Sequence, residues 1–198
     1  MGSSISQSLL LIINTLGGLY ILAVIIRFLL QAARADFYNP VSQSIVKITA
    51  PLVTPLRKII PGYKGFDFAS LVLALLLNIV ATSVMLLVAG GLGLVGVGTI
   101  VAWSSIGLLA FILKIYKYGL LISIIASWIA PHSGNPVLLL IHQLLEPIMK
   151  KVHKVIPPMG GLDFSPIFVF LGIQVVETML VQGLAQSLRL FPAVVIGI

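Results

Sequence analysis

The chain has 198 residues, of which 59% are hydrophobic and only 9% charged, and it carries a formal net charge of +7 and no cysteine. Ordinary soluble chains are about 25% charged, so a soluble globular domain is excluded, and several apolar runs are longer than the roughly 18 residues that signal a transmembrane helix. The missing cysteines exclude disulfides, thiolate nucleophiles and cysteine metal sites. The basic residues lie beside the apolar runs, which points to an anionic membrane surface and away from nucleic acid.

Gly2 and Ser6 fit a short myristoylation pattern. The segment that follows already reads as a retained span, from about Leu9 to Ala33, with no basic region ahead of it. Gly17-Gly18 inside it predicts close helix packing. Arg27 lies about 9 Å of helix rise before its end. It reads as a snorkelling side chain, or alternatively as the partner of a carboxylate or a lipid phosphate.

Asn39-Pro40 is a helix start, with Asn as cap and Pro at the first helical position. Val41, Ile45, Ile48, Leu52, Leu56 and Ile59 then recur at spacings of three and four, giving one apolar stripe. Pro51 and Pro55 interrupt the stripe, which predicts an elbow between two short helices. Lys47, Thr49, Arg57 and Lys58 surround it, the pattern of a basic amphipathic helix in the headgroup plane. Pro61-Gly62 ends it, and Gly65-Phe66-Asp67-Phe68 turns into the second span. Asp67 reads as the cap of that span, with ion binding as the alternative.

The second span covers about Phe68 to Ala89. An uncharged run with glycines at 90, 91, 93, 96 and 98 follows and reads as a flexible outer connection. The third span runs from about Val101 to Ala130 and ends near Trp128, an interfacial aromatic.

The stretch Asn39–Phe68 then returns as Asn135–Phe164, offset by 96 without a gap and identical at 11 of 30 positions. Chance would give roughly two, so the chain is a duplication. The shared positions include Asn135, Pro136, Pro147, Pro157, Gly161 and Asp163. Leu138 to Leu140 make the second motif helix apolar nearly all round at its start, which predicts deeper burial or a protein neighbour. Lys150, Lys151, His153 and Lys154 concentrate its charge near the end. Ser165-Pro166 opens a fourth span to about Leu188, and a short apolar tail remains. With two spans per copy, both copies point the same way across the membrane. The basic motif loops are expected to be cytoplasmic and both termini periplasmic.

Ionisable and polar groups within spans are costly and stand out as candidates. Lys117 and Glu177 lie 13 residues from the motif ends of neighbouring spans, at matching depths of roughly 20 Å, and are expected to pair. Lys114 reads as snorkelling to the outer interface. The first copy has Gly18, Ile21 and Ala81 at the three corresponding places. Asn78 and Gln174 occupy equivalent positions and are expected to hydrogen-bond between helices across the pseudo-axis. His142 and His153, eleven residues apart, share a helix face, with Pro147 between them; a haem or metal there is a minor reading. No Gly-rich phosphate loop, G-x-S-x-G or H-E-x-x-H is present.

The repeated pattern (Asn-Pro, an apolar stripe with an internal Pro, a basic cluster, Ile-Pro, then Gly-x-Asp-Phe before a span) resembles the YggT family. The family is also called YlmG, with plastid relatives among Ycf-type and cytochrome-assembly membrane proteins. The likeness covers nearly the whole chain, and Arg34 to Pro40 is similar to the first unit of the long, two-unit proteobacterial form. Units of this family often carry an arginine late in the preceding span. Arg27 fits, whereas the second copy departs with Ser123. The resemblance implies a small integral membrane protein without an accepted enzymatic activity. Members are connected with envelope or osmotic stress, potassium balance, division-gene neighbourhoods and, in plastids, complex assembly or nucleoid distribution.

We therefore expect an all-α membrane protein with four transmembrane helices arranged as two tandem parallel repeats, 1–98 and 99–198. Each repeat carries a proline-kinked amphipathic interfacial helix, at 39–61 and 135–157. The expected role is a non-enzymatic inner-membrane scaffold or assembly factor without a cofactor. Its partners would be anionic phospholipid and other membrane proteins or a second copy of the chain. Arg57, Lys58, Lys150, Lys151 and Lys154 would face the lipid or partner. The alternative is a potassium or osmolyte transporter or channel component.

Overall fold

Helices that are apolar all round must be covered either by protein or by lipid. The computed structural model describes residues 2–130, 133–156, 163 and 165–198. Its long helices are α1 (Gly2–Ala32), α3 (Phe68–Val88), α4 (Val97–Ile129) and a broken fourth rod. That rod is α6 (Ser165–Val176), a π-helical turn (Glu177–Gln182) and α7 (Gly183–Ser187). In the most apolar windows of these four spans only 22%, 39%, 22% and 17% of residues are buried inside the protein. Most of their apolar surface therefore needs a bilayer to cover it, and the chain is a multi-pass membrane protein.

Two shorter helices, α2 (Pro40–Ile59) and α5 (Pro136–His153), carry the repeated motif. α1 packs along α3 and α3 along α4; α2 lies against α1 and α3, and α5 against α4 and α6. The main core joins Ile25, Val53, Met85, Trp103 and Leu144 from five helices with the C-terminal tail. Among the described residues the regular structure is helical, apart from an isolated bridge between Tyr63 and Phe66.

The start of each motif helix follows the sequence closely. The Asn39 and Asn135 side chains accept from the backbone N–H of Val41 and Val137, with Pro40 and Pro136 opening the helices. Asn39 also donates across the repeat to the Pro136 carbonyl at 2.8 Å, and the Asp36 N–H donates to Gln143. The two motif helices thus meet at their N-terminal ends. Gly65 sits at φ 88° in the turn before α3, a conformation that favours glycine. Pro61 lies exposed just beyond α2, while Pro157 and Gly161 lie outside the described residues.

Three expectations are corrected. The elbow helices do not split in two: α2 runs unbroken through Pro51 and Pro55, and α5 through Pro147. The fixed proline φ is itself helical, and all three prolines sit on exposed positions, where solvent or headgroups can serve the carbonyls they leave unpaired. The third span starts earlier than expected, at Val97 within the glycine-rich connection, which also holds a 3₁₀ turn at Leu92–Leu94. Finally, Gly17 and Gly18 do not meet another helix. They meet Ile196 of the C-terminal tail, which folds back into the bundle with Val194, Val195 and Ile196 buried. A Cβ on Gly107 would lie 2.5 Å from the Ile196 carbonyl oxygen, so that glycine makes room for the tail on the α4 side.

Candidate functional site

The first copy builds a charged centre where α1, α2 and α3 meet. Asp67 caps α3 by accepting from the Ser70 N–H at 3.3 Å and also accepts from the Ser70 hydroxyl. Its carboxylate is gripped by Arg57 from the last turn of α2, with Nε at 3.1 Å from Oδ1. Arg27 approaches from α1, with Nε 3.7 Å from Asp67 Oδ2, and donates to Thr49 Oγ1 at 2.8 Å and to the Val46 carbonyl at 3.3 Å. Asp67 is 1% exposed and Arg27 5%. Arg27 therefore does not snorkel: it takes the carboxylate partner. Burial pushes the Asp67 pKa up, but hydrogen bonds from Arg57 and Ser70 outweigh that and hold it below the ordinary carboxylate value.

Placing Arg27 also explains which side of α2 faces the protein. Ser42, Thr49 and Val53 are the buried positions of that helix, whereas Ile48, Leu52 and Ile59 of the apolar stripe are exposed. Half of the α2 stripe is thus turned away from the bundle, while Val41, Ile45 and Leu56 pack half-buried against the core. On α5, by contrast, Leu140, Leu144 and Leu145 are buried against neighbouring helices.

The second copy repeats the cap but not the centre. Asp163 accepts from the Ser165 N–H at 2.9 Å and pairs with His153 Nε2 at 3.0 Å. Burial raises the Asp163 pKa, and the hydrogen bonds from His153 and Ser165 more than reverse it, so it too is held low. Both partners are over a third open, at 36% and 38% exposure. A cavity of about 830 Å³ lies beside this pair, between α4, α5 and α6. His142 and His153 do share it, together with Glu146 and Ser123. Among the described residues no three His, Asp or Glu side chains converge as a metal ion would require. His132 lies outside the described residues.

Within the spans, Lys117 Nζ donates to Glu177 Oε2 at 2.8 Å and to Gln174 Oε1 at 2.9 Å, and lies 5.8 Å from the Phe170 ring. The matched depths thus correspond to a contact, and the π turn begins at Glu177. Asn78 and Gln174 do not meet. Asn78 Nδ2 donates to the carbonyls of Ser104 and Ile196, because the folded-back tail brings its own acceptor to that place. Gln174 instead serves the lysine that only the second copy has. Lys114 is half-buried at an apolar cavity of about 380 Å³ bounded by α1, α2, α4 and α5.

Of the basic cluster, Lys58, Lys150, Lys151 and Lys154 are exposed, with Lys150 2.7 Å from Glu146 one helical turn away. Arg57 is turned toward Asp67 and Gln31, which narrows the outward-facing set to the four lysines.

Fold and sites define a four-span helical membrane protein in which one motif, an Asn-capped helix followed by an Asp-capped span, is used twice. A family model described as CCB3/YggT matches residues 6–88 and 102–184, the second match beginning and ending 96 residues after the first. The chain belongs to this family. It is 45% identical over 178 residues to an uncharacterized protein of Pseudomonas aeruginosa, covering 88% of each chain. It is 33% identical over 184 residues to the uncharacterized protein YggT of Escherichia coli K12, covering 92% of each. An uncharacterized protein of Vibrio alginolyticus is 39% identical over 175 residues, covering 85% of this chain and 90% of that one. No solved structure matches.

Proposed function

We propose that the protein is a non-catalytic scaffold or assembly factor of the bacterial inner membrane, whose motif helices lie at the anionic cytoplasmic surface and present lysines to lipid headgroups or a partner. The observation that carries this reading is the outward half of the α2 apolar stripe. Ile48 is 56% exposed, Leu52 44% and Ile59 78%, while the helix turns Ser42 and Thr49 inward. An uncovered apolar flank bordered by Lys47 and Lys58, on a helix whose other side packs on protein, is what a helix half-sunk in the headgroup region requires. Each exposed lysine near an anionic leaflet adds about 1 kcal/mol of attraction. The orientation, with motifs cytoplasmic and termini periplasmic, follows from the same lysines through the positive-inside rule.

The direct experiment is to purify the protein from a mixed-lipid membrane and measure the anionic lipid retained. Lys58, Lys150, Lys151 and Lys154 are replaced together by Gln in a second sample. The reading expects severalfold less anionic lipid on the variant; equal retention would remove it.

A second reading, ion or osmolyte transport, is favoured by one observation. The Lys117–Glu177 pair sits at a π turn, a local irregularity frequent at functional sites. Against it, Asn78 lies in a separate place with the C-terminal tail, so the intramembrane polar groups do not line one path.

A further inference from the structure

The cavity in the second copy stands where the first copy keeps its arginine. The 96-residue offset carries Arg27 onto Ser123, and the two groups that Arg27 hydrogen-bonds, Val46 and Thr49, onto His142 and Leu145. It carries Arg57 onto His153 and Asp67 onto Asp163. All five second-copy residues line the one cavity of about 830 Å³. In the first copy the same place is filled by a guanidinium that meets a carboxylate and a helix carbonyl. In the second, Ser123 ends three bonds short of where the guanidinium carbon would lie, and the space is open.

We propose that this cavity binds an organic cation, a guanidinium or primary ammonium on an apolar stem, in the place where the first copy seats the side chain of Arg27. Two carboxylates, Asp163 and Glu146, border the space, and among the described lining residues there is no lysine or arginine. Lys150 holds Glu146 only through an exposed pair, with both partners more than half open, so it screens that charge without filling the cavity. Leu120, Ile124, Trp128 and Met149 supply the apolar part of the lining, beside His142, Gln143 and the His153 that pairs with Asp163. The volume falls in the range of small-molecule sites, about 300–1,000 Å³, which exceeds a bare ammonium and suits a head with a stem. A metal ion is disfavoured because the described carboxylates and imidazoles do not converge. Two sources supply such a head: a free alkylamine or alkylguanidine, and the ammonium of an aminophospholipid reached from the membrane side.

Trp128 gives the readout, since it lines the cavity and is 81% exposed. Trp103, which is buried, is replaced by Phe so that the emission comes from Trp128 alone. The purified, delipidated protein is titrated with n-butylguanidinium, and with n-butyltrimethylammonium as a cation that cannot donate an N–H. The expected result is a saturable change of Trp128 emission with butylguanidinium, and at least about tenfold weaker binding of the trimethyl compound. Asp163→Asn should weaken butylguanidinium roughly tenfold, and Ser123→Arg, which supplies the guanidinium from α4, should abolish the response. Absence of a saturable response, or a response that both variants retain unchanged, would overturn the proposal. The titration is then repeated in phosphatidylethanolamine and in phosphatidylcholine nanodiscs. Loss of the response only in phosphatidylethanolamine assigns the lipid ammonium as occupant, and its persistence in both assigns the soluble cation.

Discussion

The two copies of the motif share their caps and differ in what the cap carboxylate holds. Asp67 is closed in by Arg27, Arg57 and Ser70, whereas Asp163 meets His153 at the edge of an open cavity. The difference shows that the Gly-x-Asp-Phe signature specifies a helix start and leaves the second partner of the aspartate free to change. One copy has spent that freedom on a buried ionic core, and the other has left room.

The largest effect expected from this contrast is Asp67→Ala. It strands Arg27, itself 5% exposed, without a countercharge, and also removes the α3 cap. Breaking a buried pair on one side costs about 3–5 kcal/mol. Asp163→Ala should cost only about 1–2 kcal/mol, chiefly the lost cap on α6, because its pair with His153 is over a third exposed and screened by solvent. Thermal unfolding of the two variants in one detergent compares them directly, and equal losses would erase the distinction between the copies.

Next in size is the intramembrane pair. Lys117→Ile alone leaves Glu177 half-buried opposite an apolar side chain and should destabilise by about 1–3 kcal/mol. Adding Glu177→Ala restores the residue pair that the first copy has, Ile21 and Ala81, and should recover most of the loss. A double variant as unstable as the single would mean that the pair does more than neutralise itself.

The third expectation concerns pH. Both aspartates are held below the ordinary carboxylate pKa in the folded protein, Asp67 by Arg57 and Ser70 and Asp163 by His153 and Ser165. A depressed carboxylate contributes stability that is present above its unfolded pKa and is lost as pH falls through the folded one. Acid should therefore weaken the protein only from about pH 4 downward. Asp67→Asn should flatten that acid limb more than Asp163→Asn does. An acid limb insensitive to Asp67→Asn would show that the centre of the first copy is not what acid dismantles.

The smallest effect is the coupling between Leu145→Thr and Ser123→Arg. Leu145 is buried, so Leu145→Thr alone destabilises, but it returns the hydroxyl acceptor that Thr49 gives Arg27, and its loss should be about 0.5–1.5 kcal/mol smaller beside the transplanted arginine. An equal loss with and without Ser123→Arg would mean that the arginine does not reach the corresponding place.

Much of the architecture was legible because it is written in local signals. The span lengths follow from apolar runs, the helix starts from Asn-Pro, and the repeat from a fixed offset. The alliance of Arg27 with Asp67 was not, because α1 is apolar nearly all round and no pattern in it says which face meets α2. The inward turn of Thr49 and Ser42 was hidden for a related reason. The apolar stripe marks the face that avoids water, and beside a bilayer that face can belong to lipid, leaving small polar groups to pack on protein. The tail was illegible because a short apolar end carries no periodicity, yet Gly107 leaves room for it and the Asn78 amide donates to its Ile196 carbonyl. Lys117 and Glu177 were readable because the cost of charge in a membrane ties depth to partnership.

The reading of the protein as a scaffold is tested most directly by measuring potassium and proton flux in liposomes containing the purified chain, with orientation and folding verified, beside the Glu177→Ala variant. The account predicts no flux above protein-free liposomes for either sample. Flux in the parent protein that the variant loses would contradict it and make the Lys117–Glu177 pair the centre of a transport path.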